Sequence, residues 1–385
     1  MSQEKTTIPY TPNVSDSGHL IWVNENFISK DLYTPFMIKN DNEYYGDLKR
    51  KYNILLSQAT KARADEESIR IITDYKNKIL EVIRLYYKGQ ISSAQNKIKH
   101  LVKECLKDPL AVNFVEKSWA FPGVLSITPQ FFHARIGTPR GYKAKEMLHI
   151  PYSMRSKTGN YRFSLPGVPS YYLANSSYCC WLEMGMPPEH EFNVSPVLLD
   201  GSQKILNLAV NIRDVHHLNE FEPWRTHTWI KLLMLMMASS YRVEEINRTF
   251  KSEYVIPQCI MLACKELGLD GIAYYSCQVE DHIFAQSAIN LALFASEERI
   301  GSKYSDICNH IKVGDAFNYF IFQQLGPNQW DTKYELRWMK TGLINNIGSY
   351  DNQYEYAVTD FCKFDMFLFN GWKSDNVEFG NAVRG

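Results

Sequence analysis

From about Tyr44 to Asp108 apolar residues return at three- and four-residue steps. Ile69, Ile72, Tyr75, Ile79, Val82 and Tyr86 fall on one face, the spacing of an amphipathic helix. Gly89 ends that helix, and Ser92 or Ser93 is placed to cap a second one carrying Ile98, Leu101, Val102 and Cys105. The pattern predicts an antiparallel helical pair, read either as structural packing or as a surface for a partner or a second copy. Before about residue 40, with Pro9, Pro12 and Pro35, no period holds, and the chain reads as an extended or irregular arm.

The character changes between Pro109 and Pro129. Beyond it, short strand-like runs alternate with helices. FFHARIG (131–137), Ile205–Val210, Gly271–Ser276 and Asn290–Phe294 read as strands. Trp224–Phe250 reads as one long helix or a broken pair, and Tyr254–Leu267 as a helix with Pro257 in its first turn. In the segment Tyr161–Glu183, Arg162 leads a short strand-like run that Gly167 and Pro169 break. Tyr172 opens a second run, Asn175 and Ser176 are cap residues, and Glu183 falls about two turns into the helix they start. The aromatic runs FNYFIF and FDMFLF in 313–385 predict a β-rich C-terminal extension. The expected class is α+β, divided into 1–125, 126–300 and 301–385.

Composition narrows the function classes. Lys+Arg and Asp+Glu both number 42 among 385 residues, which weighs against a general nucleic-acid binder. Eight cysteines without a Cys-x-x-Cys pair read as reduced thiols in a cytoplasmic protein. The opening MSQEKTTIPYTPN has no apolar core and is no signal peptide. Leu232–Ala238, LLMLMMA, is too short to span a bilayer and reads as a buried helix, so no membrane partner is expected. His216 and His217 neighbour Asp214, but adjacent histidines point apart on a regular element, which argues against a metal site. No Gly-x-Gly-x-x-Gly or Walker sequence occurs, which disfavours a Rossmann or P-loop use of a nucleotide. The unit Tyr161–Glu183 remains the strongest chemical signal. It carries a cation, a flat ring and a carboxylate, which could grip a phosphate-bearing nucleotide and polarise a sugar bond.

Four fragments, in order, resemble the RES domain family, named for an arginine, a glutamate and a serine. Phe132-His133-Ala134-Arg135 is similar to the family's opening strand and arginine. Tyr161-Arg162-Phe163, Gly167-x-Pro169, Tyr172-Leu173-Ala174 and Glu183 resemble its Gly-Arg-Phe-Asn, Gly-x-Pro, Tyr-Leu-Ala and helix glutamate. Asn207-Leu208-Ala209 stands in the place of a short strand. Tyr254-x-x-Pro257-Gln258, then Leu269-Asp270-Gly271-Ile272-x-Tyr274-x-Ser276 and Asn290–Phe294, resemble the final helix and closing strands. The likeness covers about 130–296. Tyr161 replaces the usual glycine and Ser164 the usual asparagine.

The resemblance implies an ADP-ribosyltransferase-like core preceded by a helical N-terminal domain. It implies NAD as substrate rather than resident cofactor, and a toxin that depletes NAD or modifies a target, in toxin–antitoxin pairs or phage defence. On this reading Arg135 and Arg162 hold phosphate oxygens through bidentate forks, and Tyr172 stacks on nicotinamide, with Tyr171 competing for that role. Glu183 accepts from ribose hydroxyls and offsets the sugar cation. Ser276 bonds the nicotinamide amide or a phosphate. His133 shares a strand face with Arg135 and reads as a core or hydrogen-bonding histidine. The expected reaction is cleavage of the nicotinamide–ribose bond, with ADP-ribose passed to water, phosphate or a macromolecule. Expected partners are NAD, an antitoxin or regulatory protein, and a second copy through the N-terminal helices. A non-catalytic nucleotide-binding or interaction module is the competing reading, motivated by Tyr161 and Ser164.

Overall fold

The computed structural model describes residues 29–107, 112–114, 119–121, 124–127, 130–210, 223–279, 288–297, 299–325, 346–349 and 352–370. Of the arm expected before about residue 40, residues 1–28 lie outside these described residues, as do Asp214, His216 and His217, whereas residues 29–40 form a short 3-10 turn and a strand at Phe36–Ile38.

The strands are β1 (Phe36–Ile38), β2 (Val112–Phe114), β3 (Trp119–Phe121), β4 (Val124–Ile127), β5 (Gln130–Ile136), β6 (Ser170–Ala174), β7 (Phe192–Leu199) and β8 (Lys204–Asn207). They continue with β9 (Tyr241–Val243), β10 (Gly271–Tyr275), β11 (Ile289–Phe294), β12 (Ile311–Val313), β13 (Phe317–Asn318), β14 (Asn346–Ser349) and β15 (Asn352–Glu355). The helices are α1 (Tyr44–Lys61), α2 (Glu66–Tyr87), α3 (Ile91–Cys105), α4 (Ser177–Glu183), α5 (Pro223–Ser239), α6 (Val255–Glu266), α7 (Tyr319–Gln323) and α8 (Asp360–Asn370). Nine strands form one sheet in the order β12-β7-β5-β6-β11-β10-β8-β2, with β13 also on β7. The protein is thus mixed α and β around a multi-strand sheet.

Period-2 alternation divides the sheet's side chains between two cores. Ile272, Tyr274, Ala292 and Phe294 enter one core with α1–α3, α5 and α6. Ala273, Tyr275, Leu291 and Leu293 enter the other with residues of α7 and α8. The central strands β10 and β11 are therefore buried on both faces, which is why they read as continuous apolar runs.

The helical N-terminus follows its pattern. Asp65 accepts from Ser68 N at 2.9 Å and starts α2, and Ile72, Tyr75, Ile79 and Val82 are buried. Gly89, at φ +75°, stops the helix. One detail is corrected: α3 begins at Ile91 after an N-cap Gln90, so Ser92 and Ser93 lie inside its first turn, exposed. α5 is buried from Leu232 to Ala238, as a helix apolar on all sides must be. Tyr44 and Tyr52 of α1 donate to its Ala238 and Met234 carbonyls at 2.7 and 2.6 Å. Among the described residues no helix is long and apolar enough to cross a membrane.

Two expectations fail. The helix expected to reach Phe250 ends at Ser239. Ser239 and Ser240 bond back to the Leu235 and Met236 carbonyls at 2.9 and 2.8 Å, which competes with the helical ladder. The chain then enters β9, which pairs in parallel with β1. The C-terminal extension is mixed rather than β-rich in its described parts, with β12 to β15 beside two helices. FNYFIF gives β13 and then α7, started by Asn318 accepting from Ile321 N at 3.2 Å, and FDMFLF gives α8. Phe364, Phe367 and Leu368 are buried at helical spacing. A short dense run of phenylalanines satisfies periods 2 and 3.6 alike, and packing on the sheet decides between them.

Candidate active site

A cavity of about 410 Å³ opens beside β5 and β6, and its wall also draws on α4, β10, β11 and the segment before α6. β5 and β6 meet at one registered pair, Phe132 opposite Ala174. Both strands then contribute residues to the wall.

Glu183 is the last residue of α4 and lines this cavity. The helix is fixed at its start. Ser176 accepts from Cys179 N at 3.0 Å, and Asp365 of α8 accepts from Ser177 N at 3.0 Å. Cys179 and Cys180 are buried, whereas Glu183 itself is exposed at the open end of the helix. Its carboxylate is nonetheless tethered. Ser276 Oγ donates to Glu183 Oε1 at 2.6 Å, and Asn290 Nδ2 donates to the same oxygen at 2.5 Å. Glu183 and Ser276, 93 positions apart, are thus in direct contact.

Tyr172 also lines the cavity. Its hydroxyl donates to Ser164 Oγ and accepts from Phe163 N, both at 3.2 Å. Burial pushes its phenol up from the ordinary range, against those two bonds. Tyr161 stands edge-on to it at 5.9 Å between ring centroids, so the residue that departs from the RES pattern supplies a second ring to the same wall. Tyr171 points elsewhere: it is buried and donates to the Met147 carbonyl at 2.8 Å.

Arg162 lines the cavity from a tight turn rather than from the expected strand-like run. The only pairing there is the isolated bridges Tyr161 to Ser164 and Leu165 to Val168, and Gly167, at φ +79°, makes the second turn. Gln258 of α6 donates to the Ser164 carbonyl at 3.1 Å and holds the turn in place. Arg162 Nη2 donates to the Tyr241 carbonyl at 2.8 Å, and Nη1 donates to that of Ser239.

Arg135 is not among the residues that form the cavity wall. Its Nη2 donates to the Leu148 carbonyl at 2.9 Å. His133, two residues before it, does line the cavity. Its Nδ1 lies 2.8 Å from the Tyr172 carbonyl, and burial pushes its pKa down to about 4. The ring is neutral at pH 7, with Nδ1–H donating to that carbonyl.

The sequence reading assigned no role to Asn290, Lys251 or Tyr254. Asn290 had a legible signal, as the one polar residue in the apolar strand Ile289–Phe294. Lys251 sits between elements, where periodicity is silent.

A search of curated proteins adds one relative. A protein of Bacillus subtilis (strain 168) named "Putative toxin YopC" is 27% identical over 278 residues, 70% of this chain and 61% of the relative. The chain therefore spans about three fifths of the relative's length. No family model matches the chain, and no solved structure matches it.

Proposed function

We propose that the chain is an NAD-consuming, toxin-type enzyme of the RES class that cleaves the nicotinamide–ribose bond. The observation that carries this reading is the tethered carboxylate of Glu183 in a cavity that also holds Arg162 and Tyr172. Departure of nicotinamide leaves an oxocarbenium-like sugar, and a fixed carboxylate stabilises positive charge that develops beside it. Ser276 and Asn290 aim that carboxylate, Tyr172 offers a face for nicotinamide, and Arg162 supplies positive charge for the phosphates. ADP-ribose then passes to water, phosphate or a macromolecular acceptor. The word toxin in the relative's name agrees with this reading.

The test is release of nicotinamide from NAD by the purified protein, with and without phosphate, beside Glu183→Ala. Release that the substitution abolishes is expected. No release and no labelled acceptor would remove the reading.

A second reading, nucleotide binding without turnover, is favoured by one observation. Arg162 directs both terminal nitrogens at main-chain carbonyls and is held by the fold. Tight NAD binding with no product would select it.

A further inference from the structure

We propose that Lys251 and Arg162, facing one Tyr254 ring, form the anion receptor of the cavity, and that its ligand is the diphosphate of a dinucleotide. The proposal rests on reading the cavity as an NAD site and names the group that takes the phosphates.

Lys251 Nζ stands 4.8 Å from the Tyr254 ring centroid, and Arg162 Cζ stands 5.5 Å from it. All three residues line the cavity. Each cation is attracted to the ring. Glu253, the acid beside Tyr254, attracts Arg162 from a distance, but its ion pair is with Arg248, whose Nη1 and Nη2 donate to it at 3.0 and 2.8 Å. Among the described residues no ion pair joins Lys251 or Arg162 to a carboxylate. Glu183 is held by Ser276 and Asn290. The cavity therefore carries one tethered carboxylate and two cations that form no ion pair among the described residues.

The two cations differ in freedom. Arg162 is tied to the end of α5 and the start of β9 through the Ser239 and Tyr241 carbonyls. Lys251 makes one long contact, 3.4 Å to the Asn160 carbonyl, and an ammonium has three N–H groups. Among the described residues no other oxygen accepts from it, which leaves two for oxygen ligands. Arg135, which the sequence favours for this task, does not form part of the wall.

The backbone around Lys251 is set by the N-terminal residues. Glu244 N and Glu245 N donate to the Ile38 and Lys39 carbonyls at 3.0 and 3.2 Å, and Ser252 N donates to Asp41 Oδ1 at 2.6 Å. This places a flexible side chain on a fixed stem, which suits capture of a polyanion.

The experiment is calorimetric binding of ADP-ribose and of inorganic diphosphate to the full chain, with nicotinamide release from NAD measured in parallel. Lys251→Met keeps the apolar stem on Tyr254 and removes the charge. It should weaken ADP-ribose binding roughly tenfold to a hundredfold, the loss of a charge-assisted hydrogen bond. Lys251→Arg should recover most of it, and Lys312→Ala, on β12, should change nothing. Wild-type binding should fall with added salt. Unchanged ADP-ribose affinity in Lys251→Met overturns the proposal, as does wild-type protein that binds neither probe. Binding that depends on Lys251, in a wild-type protein that leaves NAD intact, supports the receptor and removes only the catalytic reading.

Discussion

Ser276, just past the end of β10, donates its hydroxyl to Glu183 at the end of α4 across 2.6 Å. The bond, with that of Asn290 at 2.5 Å to the same oxygen, fixes the carboxylate while leaving Oε2 without a partner among the described residues. Glu183→Gln keeps the shape and removes the charge. Nicotinamide release should fall roughly a hundredfold or more, the scale of losing one fixed electrostatic stabiliser. Ser276→Ala or Asn290→Ala should cost about tenfold each, because one tether remains. Steady-state kinetics with NAD reads all three, and an unchanged kcat in Glu183→Gln would dismiss the carboxylate from the chemistry.

The two arginines singled out by the sequence should separate in their effects. Arg162→Ala removes two charge-assisted bonds, one to Ser239 at the end of α5 and one to Tyr241 in β9, and its stability loss should be about 3 kcal/mol, with weaker NAD binding as well. Arg135→Ala removes one such bond, to the Leu148 carbonyl, and should cost about 1.5 kcal/mol, leaving the KM for NAD nearly unchanged. Urea unfolding and NAD titration distinguish them. A larger KM effect from Arg135 than from Arg162 would return Arg135 to the site.

The contrast shows what was legible in the sequence. α2 and α3, each with one period and one buried face, were readable, and so were the apolar runs of α6, β10 and β11 and the strand β5. So was the chain order of Glu183, Tyr172, Arg162 and Ser276. What the sequence did not carry was which oxygen each donor meets. Arg135 and His133 share a strand, yet only His133 reaches the cavity wall, because the local path of β5 decides it. Lys251 lies in a loop whose position depends on hydrogen bonds to residues 38–41, about two hundred positions earlier. The aromatic C-terminal runs fitted two periods, and only their packing made them helices.

Asp365 should make stability depend on pH. It is buried between Ser177 N and the Tyr356 hydroxyl, at 3.0 and 2.8 Å, and burial pushes its pKa from 3.8 up to about 7. A folded pKa above the unfolded one means its contribution is fully present below about pH 4 and is lost as pH rises through about 7. The shift corresponds to roughly 4 kcal/mol. In Asp365→Asn the amide can accept from Ser177 and donate to Tyr356 without ionising. The variant should therefore be the more stable protein above pH 7, and the gap should close towards pH 4. His133 has the opposite sign: its folded pKa of about 4 lies below the ordinary 6.5, so its contribution is lost as pH falls through that window. It is common to both proteins and cancels in the difference. Urea unfolding across about pH 4–8 measures the gap, and a pH-independent difference would contradict the assignment.

Asp41 couples the N-terminal residues to the cavity wall. Its Oδ1 accepts from Arg248 Nη1 at 2.7 Å and from Ser252 N at 2.6 Å, and Arg248 pairs with Glu253 in turn. The side chains of Arg248 and Glu253 are only 8% and 4% exposed. Removing one member leaves charge buried without its full complement, which costs about 3 kcal/mol. Asp41→Ala should therefore lower stability, and amide exchange at Ser252 should quicken. Because Lys251 and Tyr254 flank that amide and line the cavity, the KM for NAD should rise roughly tenfold with a smaller change in kcat, as expected for lost positioning. Asp41→Asn keeps an acceptor for Ser252 N and should recover part of the affinity while remaining less stable. Loss of stability with an unchanged KM in both variants would confine the clasp to folding and separate the N-terminal helices from the site.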